Sequence, residues 1–332
     1  MKLSFPVVSR EGLERRMLDP LIDWRNSRRA GPKTIYLHIG AHKTGTSVIQ
    51  SMLKRESRRL RWHGFYYDRT FYTLGKRLAR ESPLCATERE RLRREFDARL
   101  RSRTERGIIG SAEGFFGNLF KSYANIGVVA EDLRRILGDY DVRIFACVRR
   151  QDAFVESVYH QYVKSGGTLR FEQFTESHDI RAYRWNDLLG VYVDVFGRSN
   201  VSVCRYEDVF RNEQEVLARV FDPLAAIGFR TRRRPGIVNP GLSPVGLEVA
   251  IRCNDVLSAE EQRVLRGFLQ KFFYRRPGEP FLLFTQQQRL ELLEYYSESN
   301  RKCFEEFLSD SADVAQYLPG RREASMREVQ SG

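Results

Sequence analysis

The chain has 332 residues, of which 42% are hydrophobic, and this is enough for one large domain or two small ones. It contains no apolar run of about 18 residues, and its first residues become charged too early for a secretory signal, so we expect a soluble, cytoplasmic protein without a transmembrane segment. The five cysteines and five histidines show neither disulfide nor metal-ligand spacing, which argues against both kinds of site, and the net charge of +13 favours polyanionic partners.

Short β-rich runs alternate with helical patterns along most of the chain. After a polar N-terminal arm at 1–32, strands are predicted at 34–39, 64–67, 107–111, 141–148 and 200–205. Helices are predicted between them, at 46–58, 87–106, 128–138, 151–165, 181–196 and 211–226. Strands that alternate with helices indicate βαβ units, and the nearly continuous apolar run at 141–148 is typical of a strand buried on both faces. The sequence therefore predicts an α/β fold with a parallel β-sheet flanked by helices.

The last third of the chain has a different, helical pattern. Helices are predicted at 244–256, 258–274 and 286–308, and a polar tail follows them. No internal repeat or low-complexity linker separates this part from the rest. We therefore expect an arm at 1–32, a single α/β domain with a helical C-terminal extension at 33–318, and a polar tail at 319–332.

The strongest local motif lies between the first predicted strand and the helix that follows it. Residues 40–47 read Gly-Ala-His-Lys-Thr-Gly-Thr-Ser. Gly40 and Gly45 allow a tight turn in which backbone N–H groups converge on an anion, and the helix N-terminus adds free donors and its dipole. Lys43 adds a mobile cation. The motif indicates a phosphate-binding loop, and a capped turn without a ligand is the alternative.

The position of the lysine separates this loop from that of P-loop NTPases. Those proteins need the pattern G-x-x-x-x-G-K-[ST], with lysine directly after the second glycine. Here Gly40 and Gly45 have the required separation, but Thr46 occupies the lysine position and the lysine is Lys43. A P-loop kinase or NTPase that acts on a small molecule is the alternative function, and it lacks the residue that reaches the β- and γ-phosphates.

A second pair of polar residues follows the strand predicted at 141–148. Arg149 lies at the carboxyl end of this strand, where open α/β sheets bind ligands. Ser157 lies about two turns into the next predicted helix. An arginine fork suits a phosphate dianion better than a lysine does. The alternative is an ordinary surface arginine and serine near a helix N-terminus.

The loop at 40–47 and the Arg149/Ser157 pair together resemble the PAPS-dependent sulfotransferase family, in particular its bacterial, carbohydrate-type members. The resemblance extends over 34–308, and it includes the segments VSVCRYEDV at 201–209, NPGLS at 239–243 and YYSESNR at 295–301. It implies a P-loop-like sulfotransferase fold. Gln151 is a departure, because family members commonly carry a proline at this position.

The resemblance also implies how the donor PAPS is bound. Lys43 would contact the oxygen that bridges phosphate and sulfate, and Arg149 and Ser157 would bind the 3′-phosphate. The backbone and hydroxyl groups of the loop would hold the 5′-phosphate, which assigns donor binding to Lys43, Thr44, Gly45, Thr46 and Ser47. PAP is then the product, and no metal is required if Lys43 and the helix dipoles neutralise the charge on the leaving PAP.

Two residues are candidates for the general base that takes the proton of the acceptor. Glu113, in the segment GIIGSAEGFF, follows a predicted strand and is expected at the carboxyl edge of the sheet. His42, inside the loop, is the second candidate, and a residue outside this pair is left open. His38 alternates with Tyr36 on one face of a strand and is interpreted as a core histidine. The predicted catalytic residues are therefore Lys43, Glu113 and His42.

The function predicted from these observations is transfer of a sulfuryl group from PAPS to a hydroxyl or amine by in-line displacement. The basic surface and the carbohydrate-type resemblance favour a saccharide or glycolipid as the acceptor. The charge alone would also suit a nucleic-acid-binding protein, but no recognised binding motif supports that alternative, and we expect no nucleic-acid partner. The intact loop disfavours a family member without activity, and assembly as a homodimer is left open.

Overall fold

A parallel sheet lies at the centre of the residues that the computed structural model describes, which are 10–28, 31–211, 241–275, 283–308 and 314–319. Within these ranges its strands are β1 (Thr34–His38), β2 (Phe65–Tyr67), β3 (Gly107–Ser111), β4 (Asp141–Val148) and β5 (Val201–Arg205). Neighbouring strands pair in the order β2-β3-β1-β4-β5, and these pairings are all parallel. Every predicted strand is present, which confirms the α/β class.

The register of the strands aligns their carboxyl ends along one edge of the sheet. His38, the last residue of β1, pairs with Ser111 of β3 and with Phe145 of β4. On the other side of β4, Val148 pairs with Arg205, the last residue of β5. Because β1 is the central strand, the loop that follows it opens into the middle of this edge. The loops after β3, β4 and β5 surround it, as at the ligand-binding edge of other open α/β sheets.

Helices cover both faces of the sheet. In chain order they are α1 (Arg10–Ser27), α2 (Thr46–Arg55), α3 (Ser57–Trp62), α4 (Thr70–Glu81), α5 (Ala86–Arg101), α6 (Ile126–Leu137), α7 (Gln151–Lys164), α8 (Phe171–Ser177), α9 (Trp185–Phe196), α10 (Tyr206–Arg211), α11 (Pro244–Asn254), α12 (Ala259–Phe272) and α13 (Gln286–Phe307). Short 3₁₀ helices lie at Glu113–Phe116, Leu119–Lys121, Arg198–Asn200 and Val314–Tyr317. Helices α11 to α13 form the predicted helical C-terminal part.

Two buried clusters lie on opposite faces of the sheet, because successive residues of a strand point to opposite sides. On β3, Ile108 belongs to the larger cluster and Ile109 to the smaller one. The larger cluster packs the sheet against α4, α6, α7 and α9. The smaller cluster joins β4 and β5 to Ile49 and Met52 of α2. Helix α2 is thus fixed by its apolar face, and its N-terminus is held at the carboxyl edge.

The helices differ from the prediction at several positions, and two of these differences have a clear physical cause. The helix predicted at 46–58 ends at Arg55, because the backbone of Glu56 leaves helical geometry (φ −89°, ψ 4°), and α3 follows as a separate helix. No helix is predicted where α4 forms, and its sequence contains a glycine. A Cβ on Gly75 would lie 2.5 Å from the Cβ of Ala112, so this helix-disfavouring residue is required for close packing.

The segment predicted as an N-terminal arm contains α1, and ion pairs connect this helix to α3. Arg61 of α3 contacts Asp19 and Asp23 of α1 at 3.0 and 2.7 Å. The helix predicted at 211–226 lies outside the described residues from position 212 onward, and so does the tail from position 320. Among the described helices, none is long and apolar enough to cross a membrane.

Candidate functional site

The loop between β1 and α2 has the backbone geometry of an anion-binding turn. Lys43 and Gly45 have positive φ values of 65° and 89°. Residues in this region turn the backbone so that successive N–H groups point to one side. The N–H groups of Thr46 and Ser47 precede the first hydrogen bond of α2, which Val48 donates to the Gly45 carbonyl at 2.9 Å. The loop therefore presents free donors at the positive end of the helix dipole.

The hydroxyl groups of the loop have different roles. Thr44 is buried, and its hydroxyl donates to the carbonyl of Ala41 at 2.6 Å, so this side chain closes the turn. The hydroxyl oxygen of Thr46 is also buried, but it has no hydrogen-bond partner among the described residues. Ser47 is exposed. Buried polar atoms are rarely left unsatisfied, so Thr46 is the loop side chain best placed to accept or donate a ligand hydrogen bond.

Gly40 is required by the close approach of two side chains. A Cβ at this position would lie 2.5 Å from His38 Nε2 and 2.8 Å from Thr46 Oγ1. His38 is fully buried, its Nδ1 lies 2.9 Å from Ser111 Oγ, and burial lowers its pKa to about 3. It is therefore a neutral core histidine, as predicted.

Arg149 connects the second motif to the loop. Its Nη1 donates to the carbonyl oxygen of Lys43 at 3.0 Å, and its guanidinium carbon lies 4.4 Å from the centre of the Tyr206 ring. Its own carbonyl oxygen accepts a hydrogen bond from Trp185 Nε1 at 2.8 Å. The Nε atom of Arg149 is buried without a hydrogen-bond partner in the part of the chain described. Two motifs that are distant in sequence thus form one site.

Helix α7 directs one polar face toward this site. Ser157, His160 and Lys164 are separated by three and four residues, so they share a face of the helix, and each is half-buried. Burial is the main cause that lowers the pKa of His160 to about 3, and the charges of Lys43, Arg149 and two further basic residues add to it. The face that carries Ser157 therefore also carries a residue, His160, that is close enough to Lys43 and Arg149 for their charges to act on it.

Both predicted bases lie close to Lys43. Burial lowers the pKa of Lys43 and of His42, and the charge of Glu113, in the turn after β3, opposes both shifts. His42 is engaged by Tyr123, whose hydroxyl oxygen accepts the backbone N–H at 3.0 Å and lies 3.3 Å from the ring Nδ1. Glu113 forms no hydrogen bond or ion pair with the described residues. Its carboxylate is therefore available, whereas the His42 ring is neutral and partly occupied.

The first half of α7 is held by a buried ion-pair network. Arg150 forms a bidentate pair with Asp152, with distances of 2.8 and 2.7 Å. Arg289 of α13 contacts both Asp152 and Glu156. One carboxylate oxygen of Glu156 also accepts the backbone N–H of Leu283 at 3.0 Å. The network fixes α7 to the C-terminal helices and so determines where Ser157 lies.

Gln151, at the position where the resembled family commonly carries proline, has a packing role of its own. It is buried, and its Nε2 donates to Asn300 Oδ1 at 2.7 Å, while Asn300 Nδ2 donates to Gln151 Oε1 at 3.1 Å. Asn300 belongs to the segment YYSESNR at 295–301. The amide pair therefore joins the start of α7 to this late segment.

Three residues around the site have no assigned role in the sequence-based prediction. Tyr123 contacts the loop and Trp185 holds the carbonyl of Arg149, and both contacts join residues that are far apart in the chain. No local pattern could indicate them. Lys164 has a sequence signal, because it lies seven positions after Ser157 and therefore on the same helical face.

The chain is only partly similar to known proteins. No family model matches the chain. A protein of Archaeoglobus fulgidus, named only as uncharacterized, is 30% identical over 181 residues, which are 52% of this chain and 48% of that protein. The chain thus spans about half the length of the curated relative that it matches. The crystal structure of a sulfotransferase from Alicyclobacillus acidocaldarius aligns with 70% of this chain and 99% of its own, at 20% identity and a TM-score of 0.41. This overlap is too low to support a function, which has to be inferred from the site itself.

Proposed function

We propose that this protein is a sulfotransferase that transfers the sulfuryl group of PAPS to a hydroxyl or amine of a saccharide or glycolipid. The observation that carries the proposal is the hydrogen bond of 3.0 Å from Arg149 Nη1 to the carbonyl oxygen of Lys43. It joins a loop suited to a 5′-phosphosulfate to an arginine suited to a second phosphate. A nucleotide that carries phosphates at both its 5′ and its 3′ position would be bound by the loop and by the arginine together.

The 5′ end of the donor is assigned to the loop. Backbone N–H groups at 43–47 and the buried, unpartnered hydroxyl of Thr46 would hold the 5′-phosphate. The Lys43 ammonium would contact the bridging oxygen, where negative charge grows as the bond to sulfur breaks. A dianion next to Lys43 favours its protonated form and so opposes the effect of burial on its pKa.

The 3′-phosphate is assigned to Arg149 and Ser157. The unpartnered Nε of Arg149 and its other N–H groups supply donors in one plane, and the ring of Tyr206 supports the guanidinium. Each charge-assisted hydrogen bond contributes about 1.5–3 kcal/mol. That is enough to favour this donor over a nucleotide without a 3′-phosphate. The assignment includes no metal ion.

In the proposed reaction the acceptor oxygen attacks sulfur in line with the bridging oxygen. One S–O bond forms as the other breaks, the acceptor proton passes to a base, and PAP leaves with the bonding electrons on its 5′-phosphate. Glu113 is the base that we favour, because its unpaired carboxylate acts on Lys43. His42 is the second candidate, because it lies in the loop next to Lys43, but the contact of its Nδ1 with the Tyr123 hydroxyl makes it less available.

The choice between the bases is tested by Glu113→Gln and His42→Gln. We expect Glu113→Gln to slow the formation of PAP from PAPS in the presence of a saccharide mixture by about 10²–10⁴-fold, while PAP affinity changes by less than about twofold. The His42 variant should retain most of the rate. A large loss in the His42 variant alone would transfer the role of base to that residue.

The kinase or NTPase alternative is not favoured by the loop. The position that needs lysine is Thr46, which is only 2% exposed, and the loop cation is Lys43. An NTPase would also have no use for an arginine and a serine at a 3′-phosphate.

Calorimetric titration of PAP and of ADP tests the proposed donor site. We expect the wild type to bind PAP with micromolar affinity and ADP more weakly. Arg149→Ala should lower PAP affinity by about tenfold or more and leave ADP affinity nearly unchanged. Arg135→Ala, which removes an exposed arginine from α6, is the matched control and should bind PAP like the wild type. No PAP binding, or equal binding of PAP and ADP, would contradict the proposal.

A further inference from the structure

Lys164 is the last residue of α7 and lies on the face that also carries Ser157. The turn after it is docked on the C-terminal helices. Asn254 Nδ2 donates to the carbonyl oxygens of Val163 and Gly167 at 2.7 and 2.8 Å. The position of Lys164 is therefore set by hydrogen bonds to the main chain around it, and not by its own side chain.

Arg266 approaches this position from α12. Gln262, one turn earlier on the same helix, donates to the carbonyl of Asn254 at 2.9 Å. A Cβ on Gly166 would lie 3.0 Å from Gln262 Oε1, so this face of α12 is close to the turn that follows Lys164. Arg266 shares the face with Gln262 and is half-buried, and its charge acts on Lys164.

Neither Lys164 nor Arg266 forms a salt bridge with a carboxylate in the part of the chain that the structure describes. Burial, followed by the charges of Lys43 and Arg266, lowers the pKa of Lys164 to about 8. Two half-buried cations are thus held near each other and near a third. A bound anion stabilises such an arrangement, because it favours the charged form of each cation.

The pair formed by Lys164 and Arg266 belongs to the surroundings of Lys43, because the charge of Lys43 acts on Lys164. Lys164 also shares a helical face with Ser157. The phosphates of the donor are already assigned to the loop, Arg149 and Ser157, and its sulfur is assigned to Lys43. An anionic group bound by the pair, close to the sulfur, would therefore belong to the acceptor.

We propose that Lys164 and Arg266 bind a carboxylate or sulfate group of the acceptor, which makes the acceptor an anionic saccharide. The inference rests on the proposed function, because the assignment of the donor groups leaves this pair of cations to the acceptor. It assigns two residues to a role outside the donor site and narrows the substrate class to saccharides that already carry negative charge.

The test uses Lys164→Gln and Arg266→Gln, which remove charge and keep side-chain length. Lys271→Gln is the matched control, since it removes an exposed cation from the same helix as Arg266. Each protein is titrated with PAP, and then, at saturating PAP, with a heparin tetrasaccharide and with uncharged N-acetylchitotetraose. We expect the wild type to prefer the heparin fragment, and each of the two variants to bind it about tenfold more weakly or worse.

The outcomes separate this inference from the proposed function. The variants should bind PAP within about twofold of the wild type, and Lys271→Gln should match the wild type throughout. Equal heparin affinity in all proteins, or no preference for the charged fragment, would overturn the inference while PAP binding stands. A tenfold loss of PAP affinity in either variant would also overturn it, because the cations would then belong to the donor site. Absence of PAP binding in the wild type would instead refute the proposed function.

Discussion

Asp152 and Lys164, near the two ends of α7, lie in surroundings that have opposite effects on their charges. In the first half, Asp152 is fully buried, and Arg150 and Arg289 both contact it. Burial alone would raise the pKa of Asp152, but the hydrogen bond and charge of Arg150 and the charge of Arg289 outweigh it and lower this pKa. The surroundings of Asp152 therefore favour the charged form of its carboxyl group. At Glu156 burial outweighs the charge of Arg289 and the backbone donors, and the pKa of that carboxyl group is raised.

In the second half of α7 the surroundings oppose charge. Lys164 is affected by burial and by the cations Lys43 and Arg266, and all three lower its pKa, to about 8. Asp152 therefore has partners of opposite charge within the fold, whereas Lys164 forms no salt bridge among the described residues. A buried cation without such a partner is the kind of group that a bound anion would stabilise, as proposed above.

Removing a partner from the first half should produce the largest effect. Arg289→Ala leaves Asp152 and Glu156 buried with less compensation, and breaking a buried pair in this way costs about 3–5 kcal/mol of unfolding free energy. Urea unfolding measures the loss. Arg301→Ala, an exposed arginine on the same helix, should change stability by less than about 0.5 kcal/mol. Equal stability of the two variants would remove the distinction between the halves.

Removing Ser157, near the middle of α7 on the face that carries Lys164, should reduce binding and leave the fold intact. We expect Ser157→Ala to weaken PAP binding by about tenfold, which corresponds to one hydrogen bond to a charged group, without changing ADP affinity. Ser165→Ala, which follows α7 directly and is exposed, is the control and should bind PAP normally. Calorimetric titration of both variants with PAP and with ADP measures these affinities. A Ser157 variant with unchanged PAP affinity would place the 3′-phosphate elsewhere.

The pH dependence of anion binding should show a smaller effect. Because the pKa of Lys164 is about 8, its charge is present at pH 7 and is lost as the pH rises through that value. The affinity for the heparin tetrasaccharide should therefore fall by about threefold or more between pH 7 and pH 9. Lys164→Arg keeps its charge over this range and should give a nearly flat profile. Identical profiles would show that Lys164 does not contribute.

Local sequence was sufficient for the sheet and for the loop. The strand is predicted by the apolar run at 141–148, and the turn is predicted by the glycines at 40 and 45 and the residues next to them. The structure contains both the strand and the turn. Helix α4 could not be predicted, since Gly75 disfavours a helix and is explained only by its contact with Ala112.

Local sequence patterns could not predict which side chains pair when they are far apart in the chain. Gln151 and Asn300 pair over 149 positions, and Arg149 reaches the carbonyl of Lys43 over 106. Both contacts depend on how α7 packs against the sheet and the C-terminal helices. The sequence indicated the residue types that such a site needs, but not the partners that hold them in place.

The proposed role of Lys43 in binding the donor is tested most directly by the stability of Lys43→Ala with and without PAP. The cation lies in surroundings that lower its pKa, so its removal should change the unfolding free energy without ligand by less than about 0.5 kcal/mol. In the wild type, PAP at about 100 times its dissociation constant should add about 2.7 kcal/mol, and the variant should lose most of this gain. A variant that is strongly destabilised without PAP, yet stabilised by PAP as much as the wild type, would show that Lys43 serves the fold and not the donor.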